Sequence, residues 1–350
     1  MSYLAGKIVL AVTAGAPNNA KGENTTTPVK QARVRNKTYP YVSAQAFRRW
    51  IRDTMTDAGA VPSPIERAGA NKAQKATTAA DPVRYADDDL FGYMRTGARK
   101  KDEEATTLRD SPFMTGTLMA VEPARPTEDF GVMSRGGNDP VLHSHQFYTA
   151  DLAAPFVLDV ARVGTFTLGR AGGKANYLSQ EAALQAAAAV EAGAQLVEFR
   201  GQQALRLPIQ MRRERVAVLL EAIADLVGGA KKALHYGDRT PALLALVAMT
   251  GGANPLGFVI DGAQDGSGLR VRAAALREEL RAWEGNWEAP VRLGWRPGFH
   301  DAARTAFEAE AEDLMKAGTV RIDHPRTVLR GLAAEVRAGD VDHWFEDPQR

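Results

Sequence analysis

Two stretches near the amino terminus decide the fold: residues 7–13, KIVLAVT, and residues 43–58, SAQAFRRWIRDTMTDA. The first is apolar and rich in β-branched side chains, which predicts a buried strand. The second predicts an amphipathic helix that Ser43 can cap, because its large apolar residues recur at helical spacing. These residues are Phe47, Trp50, Ile51 and Met55. A polar, aperiodic connection separates the two elements, and we expect it to be a long functional loop.

Further along the chain, other patterns extend this beginning into a sheet with helices. Residues 113–121 and 156–166 predict strands, and residues 209–227 predict a second amphipathic helix. The apolar run 242–249 stops at Gly251-Gly252, which suits a buried strand that ends in a glycine loop, although a short helix is also compatible. Helices are expected near 270–283 and 301–317. The order predicts an α+β domain with long excursions.

Composition narrows the class of protein. The chain has 350 residues, of which 45% are hydrophobic and 25% charged, as in a soluble globular protein. It contains no Cys, which excludes disulfides and thiol chemistry and fits a reducing, cytoplasmic location. The apolar residues 8–16 are too short and too weakly flanked by positive charge for a signal peptide. No apolar run reaches membrane-spanning length, so no membrane partner is expected.

Basic residues are concentrated near the amino terminus. Net charge is only +2, yet residues 17–52 contain eight basic residues against the single acid Glu23. A solvated charged surface usually mixes both signs. Amide and hydroxyl side chains beside Lys and Arg suit phosphate and ribose oxygens, and the helix start at Ser43 adds free N–H groups for a phosphate. Taken alone, these features fit a nucleic-acid or anion site and an ordinary protein interface about equally.

No motif in the sequence indicates catalysis, a cofactor or a metal. His143 and His145 could share a strand face, but no third ligand type stands nearby. The glycine-rich segment from Gly169 to Lys174 is one residue short of a P-loop, and Ala175 stands where Ser or Thr must reach magnesium. No serine elbow, zinc-protease helix or dinucleotide fingerprint is present. We therefore expect a protein that is not an enzyme.

One run of residues resembles a known family more specifically. It comprises Asn19-Ala-Lys-Gly-Glu-Asn24, Lys30-Gln-Ala-Arg33 and the segment Tyr39-Pro-Tyr-Val-Ser-Ala-Gln-Ala-Phe-Arg-Arg-Trp-Ile-Arg52. This run is similar to the opening signature of the CRISPR-associated DevR family, the "Cas-seven" backbone subunits of type I Cascade complexes. Three shorter segments also resemble that family: Asp89-Leu-Phe-Gly92, His143-Ser-His-Gln-Phe-Tyr148 and Thr250-Gly-Gly-Ala-Asn254. The resemblance covers residues 7–260, favours subtype I-B, and is most specific in its first block.

The resemblance implies a fold and a division of the chain. The fold is an RRM-like (ferredoxin-like) palm with a helical finger insertion and a β-hairpin thumb. The palm would take residues 1–58, 109–121 and 149–350, the last with the C-terminal helices. The fingers would take residues 59–108 and the thumb residues 122–148. The Ala/Thr-rich stretch at 59–83 departs in length from the family's usual pattern.

The resemblance also implies site residues, all numbered in this sequence. Those that would line the RNA track are Asn18, Asn19, Lys21, Asn24, Lys30, Arg33 and Lys37. Those that would hold phosphates are Ser43, Gln45, Arg48, Arg49 and Arg52, and Gly251 and Gly252 would permit close backbone approach. The thumb would wedge between bases through Phe130 or Met133, with His143 and His145 nearby; packing of Phe130 and Met133 on a neighbouring subunit remains an equal alternative.

The function implied is that of a CRISPR RNA (crRNA)-binding backbone subunit. Copies would polymerise head to tail along the guide, contact other Cascade subunits and present the RNA for pairing with target DNA. Two alternatives stay open. Related type III subunits cut RNA with an Asp in the loop that corresponds to residues 14–38, where this chain has no Asp and Glu23 as its one acid. A DNA-binding autoregulator is the other, although no helix-turn-helix signature is evident.

Overall fold

The structure is a computed structural model of the 350-residue chain. It describes residues 1–22, 26–68, 75–95, 107–133, 141–168, 187, 189–263 and 268–347. Asn24 lies outside the described residues, as does the side chain of Met133. No helix in these ranges is both long and apolar enough to cross a membrane.

Strands dominate the described part of the chain. They are β1 (Ser2–Gly15), β2 (Thr26–Thr27), β3 (Gln31–Val34), β4 (Lys37–Val42), β5 (Ile65–Ala68), β6 (Lys75–Thr78), β7 (Tyr93–Arg95), β8 (Thr107–Arg109), β9 (Phe113–Thr115), β10 (Leu118–Ala120), β11 (Thr127–Met133), β12 (Val141–Asp159), β13 (Thr165–Thr167), β14 (Gln195–Phe199), β15 (Gln202–Arg206), β16 (Leu243–Thr250), β17 (Ile260–Gly262), β18 (Leu269–Val271), β19 (Val291–Trp295) and β20 (Val320–Asp323).

The helices follow the expected order. They are α1 (Ala44–Asp57), α2 (Ala86–Phe91), α3 (Ile209–Ala224), α4 (Ala273–Ala282), α5 (Asp301–Glu310), α6 (Glu312–Lys316) and α7 (Pro325–Ala338). Short 3-10 turns lie at Val160–Arg162, Pro255–Phe258 and Asp342–Phe345. The helices predicted at 43–58, 209–227, 270–283 and 301–317 are confirmed, the last as the two consecutive helices α5 and α6.

One large mixed sheet forms the centre of the molecule. Its main path runs β20-β19-β16-β1-β12-β10-β4-β3, and β2, β9 and β11 also pair with β12. Within it, β16, β1, β12 and β10 are consecutive antiparallel neighbours. Helices α1 and α3 contribute to one and the same core on one face of these strands. The α+β class predicted from the sequence is therefore confirmed.

Both faces of the sheet centre are buried. In β16, Leu244 and Leu246 face the core that contains α1, α3 and α7, whereas Leu243 and Val247 face the core that contains α4 and α5. Alternate residues of a strand point to opposite faces, so a strand between two helical layers must be apolar at every position. This explains the continuous apolar run at 242–249 and confirms the predicted buried strand.

The insertion at 59–108 differs from the helical structure that was expected. Its described part consists of the hairpin β5–β6, the six-residue helix α2, and β7 paired with β8. Thr-rich segments favour extended over helical backbone, because a β-branched side chain restricts rotamers in a helix. Residues 69–74 and 96–106 of this insertion lie outside the described residues.

A buried ion network attaches the insertion to the sheet. Asp89 on α2 is fully buried and accepts hydrogen bonds from Arg109 and from Arg215 on α3, the latter at 2.5 Å from Arg215 Nη1. It also accepts from the backbone N–H of Gly164 at 2.8 Å. Two guanidinium groups around one carboxylate satisfy charges that would otherwise be very unfavourable in the interior.

We expect Asp89→Ala to lower the free energy of unfolding by about 3–5 kcal/mol, because Arg109 and Arg215 would stay buried without their shared carboxylate. Urea unfolding followed by circular dichroism measures the loss. Asp53→Ala is the matched control, since it removes an exposed pair with Arg49 and should change stability by about 0.5 kcal/mol or less. Equal unfolding midpoints for the two variants would contradict the structural role of Asp89.

Candidate nucleic-acid interface

The basic segment after β1 forms β-structure where a loop was expected. The backbone N–H of Lys30 donates to the carbonyl of Asn18 at 2.9 Å, and Asn19 forms an isolated bridge with Val29. Residues 16–22 therefore run antiparallel to residues 26–30. The side-chain atoms Asn18 Nδ2 and Asn19 Oδ1 are buried without a hydrogen-bond partner among the described residues. These two amide groups are therefore enclosed by the protein, and neither atom is exposed to a ligand in this conformation.

A tight hairpin of β3 and β4 follows and forms one edge of the sheet. Its two-residue turn consists of Arg35 and Asn36, both with positive φ, as expected for a type I′ turn. Arg33 and Lys37 are exposed, but the register pairs Arg33 with Thr38 and Lys37 with Val34. Because alternate residues point to opposite sides, Arg33 and Lys37 lie on opposite faces of this hairpin.

The cations at this edge have no acidic partners among the described residues. Within the ranges that the structure describes, no carboxylate lies within 4 Å of the charged atoms of the basic side chains at Lys21, Lys30, Arg33, Arg35 and Lys37. Lys30 is half-buried and the others are exposed. Strand pairing thus spreads the cations along one edge of the sheet.

A second hairpin, β11–β12, lies directly beside this basic segment. Thr26 and Thr27 of β2 pair in parallel with Ser144 and His145 of β12, and the hydroxyls of Thr26 and Ser144 are 2.7 Å apart. Gln146 Oε1 also accepts from the backbone N–H of Val29 at 3.3 Å. The structure thus brings the predicted RNA-track segment and the predicted thumb hairpin into contact.

The two faces of the β11–β12 hairpin are chemically different. Phe130 and Val132 point to one face together with Leu142, and all three are more than half exposed. His143 and His145 point to the opposite face, where the ring of His143 covers Gly131. Of the predicted wedge residues, Phe130 therefore lies on one face and His143 and His145 on the other, because Phe130 pairs with Ser144, which stands between the two histidines.

His145 is packed inside the protein and does not face solvent. It is buried, its Nε2 lies 3.6 Å from Asp129 Oδ2, and its ring is 4.9 Å from that of His235. Burial lowers the pKa of His145, so the neutral form is favoured. No group of three or more His, Asp or Glu residues with the geometry of a metal site occurs among the described residues.

Helix α1 begins where the sequence predicted, but its arginines have different environments. Ser43 occupies the N-cap position without a side-chain capping bond, and Gln45 is exposed. Arg48 donates to the carbonyl of Phe91 and to Ser111 Oγ, the latter at 3.0 Å. Burial, with a contribution from Arg52, lowers the pKa of Arg48 to about 10. The Arg48 guanidinium thus holds α1 against the insertion.

Arg52 also points toward the insertion. Its guanidinium carbon lies 4.4 Å from the centre of the Phe91 ring, and its Nε is 3.9 Å from Asp87 Oδ2. Arg49 is the exposed member of the set, with 72% of its side chain accessible, and pairs with Asp53 at 2.6 Å. The prediction that three arginines form one solvent-facing phosphate site therefore needs correction: two of them bind the protein itself.

The glycine loop after β16 lies away from the basic segment. Gly251 and Gly252 have φ of +102° and +75°, which accounts for glycine at both positions. However, Thr250 pairs with Ser2 at the start of β1, whereas the basic segment follows Gly15 at its end. Fourteen residues of strand separate these ends by roughly 40 Å. The structure does not bring the two predicted parts of the site together.

One element of this surface was not predicted from the sequence. Residues 229–240, GAKKALHYGDRT, connect α3 to β16, and the backbone N–H of Ala230 donates to the carbonyl of Pro17 at 2.9 Å. His235 of the same loop packs against His145. The consecutive lysines and the tyrosine before Gly237 were the available signal, but only the tertiary structure places this loop beside residues 16–22.

Comparison with known proteins supports the fold. No protein-family model matches the chain, and no curated protein sequence matches it. A chain of a CRISPR RNA-guided surveillance complex aligns with a TM-score of 0.51 and 11% sequence identity, over 95% of this chain and 98% of that chain. The two chains share a fold. A chain of a second such complex, described as pre-nicking, aligns with a TM-score of 0.48 at 11% identity, over 95% of this chain and 100% of that chain.

We expect Arg48→Gln to lower the free energy of unfolding by about 1.5–3 kcal/mol, because it removes charged hydrogen bonds to Phe91 and Ser111. Arg49→Gln should change it by no more than about 0.5 kcal/mol, since that side chain is exposed. Thermal unfolding of both variants provides the comparison. Equal stability of the two would show that the contacts of Arg48 with the insertion are not structural.

Proposed function

We propose that this chain is a crRNA-binding backbone subunit of a type I CRISPR effector complex, of the DevR family and subtype I-B. It polymerises along the guide RNA and presents the bases for pairing with target DNA. The observation that carries the proposal is the basic edge formed by β3, β4 and residues 16–30. Its cations have no acidic partners among the described residues, and it pairs with the edge of the β11–β12 hairpin, one face of which carries exposed apolar side chains.

Three features of the architecture support this assignment. The consecutive antiparallel strands β16-β1-β12-β10, with α1 and α3 packed on one face, match the 4-1-3-2 arrangement of an RRM-like palm. The insertion at 59–108 takes the place of the fingers, and the β11–β12 hairpin that of the thumb. The shared fold with a chain of an RNA-guided surveillance complex covers 95% of this chain and agrees with the assignment.

The chemistry of the basic edge suits RNA of any sequence. A guide-RNA coat must tolerate every spacer, so it binds sugar and phosphate and leaves the base edges open. Lys and Arg side chains at this edge serve phosphates. Phe130 is 73% exposed at the hairpin and provides an apolar side chain for insertion between bases.

The partners follow from this role. Head-to-tail contacts between copies build an open filament along the crRNA, and its ends contact other Cascade subunits. Target DNA reaches the protein through pairing with the guide. The complex works in the cytoplasm, where crRNA is present, and the subunit needs no cofactor. We also propose that the subunit does not cut RNA, because residues 14–38 contain no Asp.

Reversal of two exposed charges tests the basic edge. Arg33→Glu with Lys37→Glu should weaken binding of single-stranded RNA at least tenfold, equally for all sequences, because phosphates supply the contacts. The wild-type protein should show a log–log salt slope of about −4 if each subunit covers about six phosphates. Fluorescence anisotropy with RNAs of unrelated sequence measures both quantities.

The control places the same charge change at the opposite edge of the sheet. The control variant is Lys316→Glu with Arg321→Glu. Arg321 lies in β20, the strand farthest from β3 in the sheet, and Lys316 ends the helix that precedes β20. This variant should bind RNA within about twofold of wild type, apart from the loss of net positive charge. Equal losses in both variants would reject a local site. Binding of a specific duplex DNA that displaces guide RNA would favour the autoregulator.

Cleavage is tested separately. RNA paired to the bound guide should stay intact in the presence of Mg²⁺ or Mn²⁺. This result is expected for the wild-type protein and for the Glu23→Gln variant. Glu23 lies outside the described residues. Metal-dependent cutting that disappears in Glu23→Gln would establish the type III-like nuclease instead. Gel analysis of end-labelled RNA is the measurement.

A further inference from the structure

Residues 229–240, named the α3–β16 loop from this point, are fixed to the protein on the side of α1. The backbone N–H of Ala230 binds the carbonyl of Pro17, and a Cβ on Gly228 would lie 2.2 Å from the indole of Trp50. Gly229 and Lys231 both have positive φ, so the chain reverses sharply at this point. The loop therefore starts at a defined position next to the first residues of the basic segment.

The other side of the loop is fixed to the β11–β12 hairpin. The ring of His235 lies 4.9 Å from that of His145 and 5.3 Å from that of Phe147. Arg239 is buried, and burial lowers its pKa while Tyr148 opposes that effect. Tyr236, which is adjacent to His235, is 84% exposed.

Two lysines of the loop lack an acidic partner in the part of the chain that the structure describes. Asp238 is the acid of this loop, and it binds Arg296 at 2.6 Å and the hydroxyl of Thr240 at 2.8 Å. Across the described ranges, no carboxylate lies within 4 Å of the ammonium group of Lys231 or Lys232. The positive charge of this loop is therefore available to an external anion.

An exposed aromatic ring beside two unpaired cations is the combination that single-stranded nucleic acid requires. Bases stack on aromatic side chains with little dependence on sequence, and lysines contact the adjoining phosphates. The Tyr236 ring is largely solvated and contributes little to folding, but the loop backbone that carries it is anchored at Ala230 and His235, so less backbone entropy is lost when a base stacks on it. The position next to Pro17 and His145 makes the loop continuous with the basic edge.

We propose that the α3–β16 loop is a second RNA-contacting element, in which Tyr236 stacks on a base and Lys231 and Lys232 bind the flanking phosphates. The proposal rests on the proposed function, because it adds residues to the same RNA path. It assigns recognition to a segment that follows Pro17 by more than 200 positions in the chain. The loop lies on the side of the β11–β12 hairpin that carries His143 and His145, opposite Phe130.

Two kinds of variant separate stacking from charge. Tyr236→Ala should weaken binding of a labelled RNA of roughly ten nucleotides about tenfold and leave its salt slope unchanged, while Tyr236→Phe should bind like wild type. Lys231→Gln with Lys232→Gln should make the log–log salt slope shallower by about 1.4, since two phosphate contacts are lost. Photocrosslinking of 4-thiouridine RNA, read by mass spectrometry, should identify the peptide that contains Tyr236.

Controls distinguish failure of this inference from failure of the proposed function. Phe258→Ala removes a side chain of similar exposure, 79%, from a turn after β16, and it should leave RNA affinity unchanged.

If Arg33→Glu with Lys37→Glu weakens binding but the loop variants do not, the loop is not an RNA contact and the proposed function stands. If Tyr236→Ala reduces self-association and not RNA affinity, the loop is an interface between copies and the inference is wrong. If the wild-type chain binds no RNA, both are wrong.

Discussion

The backbone pairing of β12 is the interaction on which the rest of the structure depends. This strand has 19 residues, and its second half pairs with β1 inside the buried sheet while its first half pairs with β11 and β2 beyond it. A continuous strand transmits its direction and twist along its whole length. The exposed hairpin and the basic segment are therefore oriented by the same backbone hydrogen bonds that build the core.

Electrostatics divides the basic residues into two classes. Cations on the β3–β4 edge hairpin are exposed and have no acidic neighbour among the residues that the structure describes, so they stay solvated and available to a polyanion. The arginines of α1 face an insertion that supplies Phe91 and Asp87, so Arg48 and Arg52 become part of the structure. Whether a charged side chain on a helix binds a ligand or stabilises the protein depends on which residues pack next to it. The fold determines those neighbours.

Sequence reasoning succeeded where short-range periodicity carries the information. The helices α1 and α3 and the buried strand β16 follow from apolar spacing, because burial on one or two faces dictates the pattern. It did less well at residues 16–42, where polar composition indicated a loop. Edge strands pair through backbone groups and bury few side chains, so the β3–β4 hairpin leaves little hydrophobic signal apart from its turn at Arg35 and Asn36.

The sequence by itself determined the α+β class, the concentration of positive charge near the amino terminus and the strand–helix unit from which the core grows, since these depend on composition and on residues close together in the chain. Only the tertiary structure decided which of those charges reach solvent, that Gly251 and Gly252 lie at the far end of β1, and that residues 229–240 join the basic edge. These contacts join residues from 35 positions apart, as for Arg52 and Asp87, to 248 positions apart, as for Ser2 and Thr250, and no local preference specifies which distant segments the fold brings together.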